Sequence, residues 1–288
     1  MATLEDQIIS LLGATLSNLE TPRKAAEQQL LSLYHTPGFA LALGSVGSHV
    51  GVPLNIRQAS LLYLRQFVQA AWSSEFDEFK GVVLVSDQDK AHLRGILLDL
   101  ALNCPERKLK KAASYVVSKI GSADFPEEWA DLLPTVLRTV QTGNEDQVSG
   151  ALKVLVDLID DSFNEEQFFG VAHELVGSVY RVATNDSINP LTRALAVSVF
   201  RACFDILEMI LEEFKAQVKS FADETLGTWI PFLITILESK LPPPPTVQEE
   251  RQKAQSAETY RGLVAFKLQT VKVIASGISG VTANLYRR

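Results

Sequence analysis

The chain is predicted to be all-α, an α-solenoid of about six antiparallel helix pairs wound into a right-handed superhelix, and three observations predict it. Apolar residues recur at helical spacing along nearly the whole length, and no stretch alternates at period two. Proline stands at the openings of helices rather than inside them. The segments fall into pairs too short to bury an apolar face alone, so each must stack on its neighbours.

The first pair covers 4–19 and 22–34. Leu4, Ile8, Leu11, Leu12, Leu16 and Leu19 form one stripe, and Ala26, Leu30, Leu33 and Tyr34 form the next. The second pair is 37–47 and 53–72, with Leu61, Leu64, Phe67, Val68 and Ala71 as its stripe. Between them, Gly44-Ser-Val-Gly-Ser-His-Val-Gly reads as an inter-helix loop; it lacks the lysine and the preceding strand of a phosphate-binding loop. The remaining pairs are 88–103 with 106–121, 126–141 with 145–160, 165–184 with 190–215, and 221–239 with 257–279. Thr21-Pro22, Thr36-Pro37 and Asn189-Pro190 each place a capping side chain before a proline at the first helical position, where the missing N–H costs nothing. Cys104-Pro105-Glu106 and Phe125-Pro126-Glu127 open helices with a carboxylate near the positive end of the dipole. The pairs repeat irregularly, at about the forty residues of HEAT or armadillo units. Their second helices resemble one another in Arg57-Gln-Ala-Ser-Leu-Leu-Tyr-Leu, Lys111-Ala-Ala-Ser-Tyr-Val-Val and Arg193-Ala-Leu-Ala-Val-Ser-Val-Phe, with Ala59, Ala113, Ala151 and Ala196 permitting close approach. Residues 1–288 thus read as one continuous domain.

One segment breaks the pattern. Lys240-Leu-Pro-Pro-Pro-Pro-Thr-Val-Gln-Glu-Glu-Arg-Gln-Lys cannot continue a helix and has little apolar content to pack, so about 240–256 is an exposed loop inside the last pair. It reads as a stiff spacer, with a polyproline ligand as the other reading. The helical pattern runs to the end at Val281-Thr-Ala-Asn-Leu-Tyr-Arg-Arg without a polar capping repeat, which points to a part of a longer protein.

Composition excludes several classes. At 288 residues and 47% hydrophobic, the chain can bury a substantial core. Its two cysteines, Cys104 and Cys203, are too few for a disulfide framework and suit a reducing compartment. The acidic start is unlike a signal peptide, and no membrane insertion is expected. The charge is −7, and it is concentrated. Glu145, Asp146, Asp157, Asp160, Asp161, Glu165, Glu166, Glu174 and Asp186 outnumber Lys153 and Arg181 between residues 144 and 186 by the full −7. Such a field attracts basic partners and repels nucleic acid, so no direct nucleic-acid binding is expected.

No chemistry is visible. His35, His49, His92 and His173 are scattered, and no Cys/His cluster has metal-ligand spacing, so neither a metal nor a cofactor is expected. Ser48-His49 reads as an accident of sequence unless an acid orients the histidine, since adjacency implies no triad, and Asp160-Asp161 with Glu165-Glu166 read as solvated carboxylates at a helix end and turn. Arg107-Lys108-Leu-Lys110-Lys111 reads as a solvated helix start. The protein reads as a binding protein and not an enzyme.

Three stretches give it a family likeness. Ala26-Glu-Gln-Gln-Leu30 resembles the second helix of the importin-β (karyopherin-β) family. Arg57 to Trp72, with Ala59 in register and the closing tryptophan, is similar to that family's amino-terminal pattern, with Arg65-Gln66 where Lys-Asn is usual. Asp124-Phe125-Pro126-Glu-Glu-Trp129-Ala-Asp-Leu-Leu-Pro134 is close to the family's Phe-Pro-x-x-Trp-x-x-Leu-Leu-Pro. With Ile159-Asp-Asp-Ser-Phe-Asn-Glu-Glu-Gln-Phe-Phe169, it looks most like the importin nine class. The resemblance implies an importin amino-terminal region over about 1–85 and a receptor shuttling between cytoplasm and nucleus. It implies binding to the GTP form of the small GTPase Ran, to basic cargo such as core histones, and to phenylalanine-glycine nucleoporins. Arg23, Glu27, Arg65, Gln66, Asp157, Asp160, Asp161, Glu165 and Glu166 are the candidate Ran and cargo contacts. The alternatives are an exportin of the same fold and a HEAT-repeat scaffold of a multiprotein complex.

Overall fold

The computed structural model describes residues 3–162, 165–247 and 254–285. Among these the chain is helical with no strand, in two compact units, Met1–Leu132 and Leu133–Arg288.

Unit 1 contains α1 (Leu4–Thr15), α2 (Glu20–Ser32), α3 (Phe39–Ser48), α4 (Leu54–Ala71), α5 (Asp87–Asn103) and α6 (Arg107–Asp124). The helices pack as α1 on α2, α3 on α4 and α5 on α6, and the pairs join through α3 on α5 and α4 on α6. A reciprocal cap starts α1: Thr3 Oγ1 accepts from the Asp6 amide (3.1 Å), and Asp6 Oδ2 accepts from the Thr3 amide (3.0 Å). The helix stops four residues earlier than the apolar stripe suggests. The amides of Leu16 and Ser17 donate to the carbonyls of Gly13 and Ala14, tightening the chain into a turn that leaves Leu16 and Leu19 exposed. Tyr34, Phe39 and Phe67 meet in tilted and edge-on contacts, with centroids 5.0–5.6 Å apart.

The glycine-rich stretch is mostly helix, not loop. Gly44 and Gly47 lie within α3, and both are buried. A Cβ on Gly44 would sit 2.5 Å from Leu93 Cδ2, and one on Gly47 2.7 Å from Leu61 Cδ2. The glycines are the contact surface on which α5 and α4 press.

Unit 2 contains α7 (Leu132–Thr142), α8 (Glu145–Ser162), α9 (Glu165–Thr184), α10 (Pro190–Ile210), α11 (Lys215–Glu238) and α12 (Ala254–Lys272). A π-helical stretch, Val273–Ile278, joins α12 to α13 (Ser279–Leu285). Asn189 caps α10 as the sequence indicates: its Oδ1 accepts from the Leu191 amide (2.9 Å), and Pro190 takes the first helical position. The other prolines sit differently. Pro22 lies inside the first turn of α2, Gly38 rather than Pro37 precedes α3, and Glu106 precedes α6. Pro231 lies inside α11. The helix α10 is the centre of the unit, packed against α8, α9 and α12, and Phe200 stacks on Trp229 at 3.8 Å with ring planes 2° apart. By length and composition, Ser256–Leu285 is apolar enough to cross a membrane. In the fold, Phe266, Thr270, Val273 and Gly277 of this stretch are buried, and α12 packs on α10.

The repeated basic residue at the start of the second helices has a visible purpose. Arg57 Nε donates to the Gly47 carbonyl (3.0 Å) and Nη2 to that of Ser48 (3.3 Å), at the carboxyl end of α3. Arg193 Nε donates to the Ala183 carbonyl (2.8 Å) near the end of α9 and pairs with Asp186 at 2.7 Å. Each arginine satisfies carbonyls that a helix end leaves open, and its charge suits the negative pole of that helix. Lys111, which lines up with them in sequence, is exposed and holds its ammonium 5.5 Å from the Tyr115 ring instead.

Candidate protein-binding site

The tryptophan and Phe-Pro motifs meet in a buried polar cluster in unit 1. Trp72, fully buried at the end of α4, donates from Nε1 to Asp124 Oδ1 at 2.9 Å. Arg94 of α5 donates to Asp124 Oδ2 from Nε (2.8 Å) and Nη2 (2.6 Å), and from Nη1 to the Glu128 carbonyl (2.7 Å). Both carboxylate oxygens are therefore occupied, as a buried charge requires. Lys90 lies 5.2 Å over the Trp72 ring.

After Asp124 the chain turns instead of starting a helix at Pro126. The Phe125–Pro126 peptide is cis, and the amides of Glu128 and Trp129 both donate to the Asp124 carbonyl at 2.7 Å. The next helix opens only at Leu132, with Pro134 in its first turn, where an amide has no helical partner to lose. Trp129 is 5% exposed and sits in the turn, not on a helix. Phe125, Pro126 and Trp129 thus belong to the turn that follows Asp124, whereas Pro134 is exposed on the next helix.

A polar and aromatic strip crosses the second helices of unit 1. Arg23 and Glu27 of α2 are half-buried, and Arg65 and Gln66 of α4 are exposed. Burial raises the Tyr63 hydroxyl above its usual value of 10.0, and the neighbouring Glu27 charge raises it further. Burial likewise raises Tyr34, with Tyr63 adding to it. One face of the Arg65 guanidinium lies 5.2 Å from the Tyr115 ring of α6, the ring that Lys111 also approaches. The sequence reading supplied Arg65 and Glu27 but missed Tyr63 and Tyr115. For Tyr115 the available signal was Lys111 one turn before it on the same helix; Tyr63 has no charged residue one turn away and gave none.

The acidic candidates belong to unit 2. Asp157 is half-buried on α8. Asp160 and Asp161 lie on the same helix and Glu165 and Glu166 open α9, but their side chains fall outside the described residues. Of the rest of the acidic window, Glu174 accepts from Gln141 Nε2 (2.9 Å) and Glu145 from the Asn189 amide (2.9 Å). Among the described residues no group of three or more His, Cys, Asp or Glu side chains could hold a metal.

Residues 26–103 match the family model for the importin-beta N-terminal domain. The chain is 33% identical over 231 residues to importin subunit beta-5 of Schizosaccharomyces pombe, covering 79% of the chain and 23% of that protein. It is 25% identical over 205 residues to importin-9 of Drosophila melanogaster, covering 70% of the chain and 20% of that protein. The chain therefore spans about a quarter of the length of these relatives. Its fold is similar to the exportin Cse1 in its cargo-free, cytoplasmic state (TM-score 0.67, 16% identity, 99% of this chain and 31% of that one). It is also similar to Kap95 in its complex with Nup1 (0.67, 13%, 99% and 31%) and to Kap95p in a structure with RanGDP (0.58, 14%, 100% and 36%). The expected all-α, HEAT-repeat class stands.

Proposed function

We propose a role in nuclear transport from one premise: this chain belongs to the importin-β family. In this reading residues 1–288 are the amino-terminal arm of a receptor that passes between cytoplasm and nucleus. The arm takes hold of Ran in its GTP form through the second helices of its first repeats and contributes to holding basic cargo, core histones among them.

The observation that carries this reading is the strip formed by Glu27, Tyr63, Arg65 and Tyr115 across α2, α4 and α6. It presents alternating charge and aromatic surface on consecutive second helices, a pattern suited to a folded protein partner. The similarity to Kap95p, whose structure was determined with RanGDP, supports Ran as that partner, and the Kap95:Nup1 complex supports phenylalanine-glycine nucleoporins as a further one. The concentrated acidic window in unit 2 supports basic cargo. No step of this function asks for a catalytic group, a metal or a cofactor.

The test is capture of recombinant Ran, loaded with GTP or with GDP, by the immobilised chain. Preferential capture of the GTP form is expected, and it should weaken when Arg65 and Glu27 are replaced by alanine together. Equal capture of both forms, or capture indifferent to the double substitution, would end the assignment. A second reading, an exportin, draws on the similarity to Cse1 and to exportin-2 of Danio rerio (23% identity). The two readings separate on cargo: an import receptor releases a bound histone dimer when Ran·GTP is added, whereas an exportin holds cargo and Ran·GTP together.

A further inference from the structure

The segment after α11 has a chemistry that the transport reading leaves unused. Residues 241–245 are Leu-Pro-Pro-Pro-Pro, and they lie in neither helix nor turn. Proline fixes its own φ near the polyproline II value. Each residue that precedes a proline is also pushed to extended backbone, which here includes Leu241, Pro242, Pro243 and Pro244. The sequence thus sets a short polyproline II helix of about 3.1 Å per residue without help from packing.

The fold leaves this helix on display. Pro242, Pro243 and Pro244 are exposed, and Leu241 keeps 40% of its surface in solvent. The prolines do not lie flat on α12. An open groove of about 570 Å³ separates them from it, walled on the far side by Ser256, Thr259, Tyr260 and Leu263. A spacer requires stiffness alone, and an exposed leucine held at the head of three exposed prolines and the half-buried Pro245 adds nothing to stiffness. Contiguous apolar surface of this kind marks a contact site.

We infer that residues 241–245 are a docking ligand for a domain of the EVH1 kind, one whose aromatic-lined groove reads polyproline II and whose end pocket takes Leu241. Proline carbonyls have no competing N–H beside them and can accept from tryptophan or tyrosine donors in the groove. The preformed helix loses little freedom on binding. Exposed Lys240 at the amino-terminal end favours a groove with an acidic rim there. The inference is independent of Ran and cargo.

The probe is a recombinant EVH1 domain titrated into the 288-residue chain, with an SH3 and a WW domain run alongside. Saturable binding of the EVH1 domain is expected, and it should weaken at least about tenfold in Leu241→Ala, the least that removing a buried leucine from its pocket should cost. The pair Pro243→Ala and Pro244→Ala should weaken it similarly, and a synthetic peptide of residues 239–247 should compete. Circular dichroism and the thermal midpoint should match the parent in both variants. Absence of EVH1 binding, binding indifferent to these substitutions, or binding only by the SH3 or WW domain with Leu241→Ala neutral would each overturn the inference.

Discussion

Removing the Asp124 carboxylate would strand the Trp72 indole N–H and the Arg94 guanidinium together inside unit 1. An unpaired buried charge is the expensive outcome, so Asp124→Ala should cost about 3–5 kcal/mol in urea unfolding. The Arg94→Met partner change, which removes the cation instead, should soften that loss when the two are combined, as a double-mutant cycle would read. Trp129→Ala should also cost about 3–5 kcal/mol, since its ring is buried against the same turn. A loss within about 0.5 kcal/mol would instead mark Trp129 as surface. Asp205 makes a different prediction. Burial holds its carboxyl above the usual 3.8, and the Arg201 ion pair only partly opposes this. The folded state therefore favours its protonated form. Its contribution to stability is full below the usual value and is lost as pH rises through the raised one. Asp205→Asn should flatten that part of the stability–pH curve. Trp72, Asp124 and Trp129 were legible in the sequence as parts of family-like stretches, but Arg94 was not, and neither was the bond between Trp72 and Asp124. Trp72 and Asp124 lie 52 positions apart, and no periodicity reports a bond across that distance.

Among the helices, close approach decides which glycines can change. A Cβ at Gly44 would meet Leu93 at 2.5 Å, whereas one at Gly95 would meet nothing within 4 Å. Gly44→Ala should destabilise by about 1–3 kcal/mol through forced repacking of α5. Gly95→Ala, on the exposed side of the same helix, should stabilise by about 0.5–1 kcal/mol, because alanine has less freedom to lose. Thermal unfolding of the two variants checks the pair, and equal shifts would refute it. The element boundaries show what single-sequence reading can and cannot reach. Asn189-Pro190 signalled a start correctly because cap and proline act locally. Pro126 misled because the Asp124 carbonyl collects two amides and turns the chain before a helix can begin. The glycines of α3 looked like loop residues because the reason for them, a neighbour's leucine, lies on another helix.

At the scale of the molecule, the charge of −7 is carried by one stretch of unit 2, and long-range attraction follows from that concentration. Replacing Asp157, Asp160 and Asp161 together by asparagine should slow association with a histone dimer and flatten its salt dependence, with a smaller effect on the dissociation rate. Association kinetics at two salt concentrations measure this. If neither rate nor salt slope moves, the acidic stretch is solvated surface only. The helical class and the pairing were readable from composition and period because stacked repeats rest on contacts between near neighbours. The strip across α2, α4 and α6 was only half readable. Charges announce themselves in sequence, but Tyr63 and Tyr115 become part of a surface only when helices from different pairs lie side by side.

The π-helical stretch at Val273–Ile278 fixes the phase of everything after it. Such a stretch amounts to one residue too many for an α-helix, and one residue is about 100° of rotation. Val281 and Leu285 of α13, both buried, follow that extra residue and take their angular position from it. Deleting Ser276 is expected to turn both side chains by about 100° away from their present packing, which a lowered thermal midpoint would report. The stretch works as a clutch in the long helix, letting Gly277 close onto Phe204 while the following turns keep their own alignment.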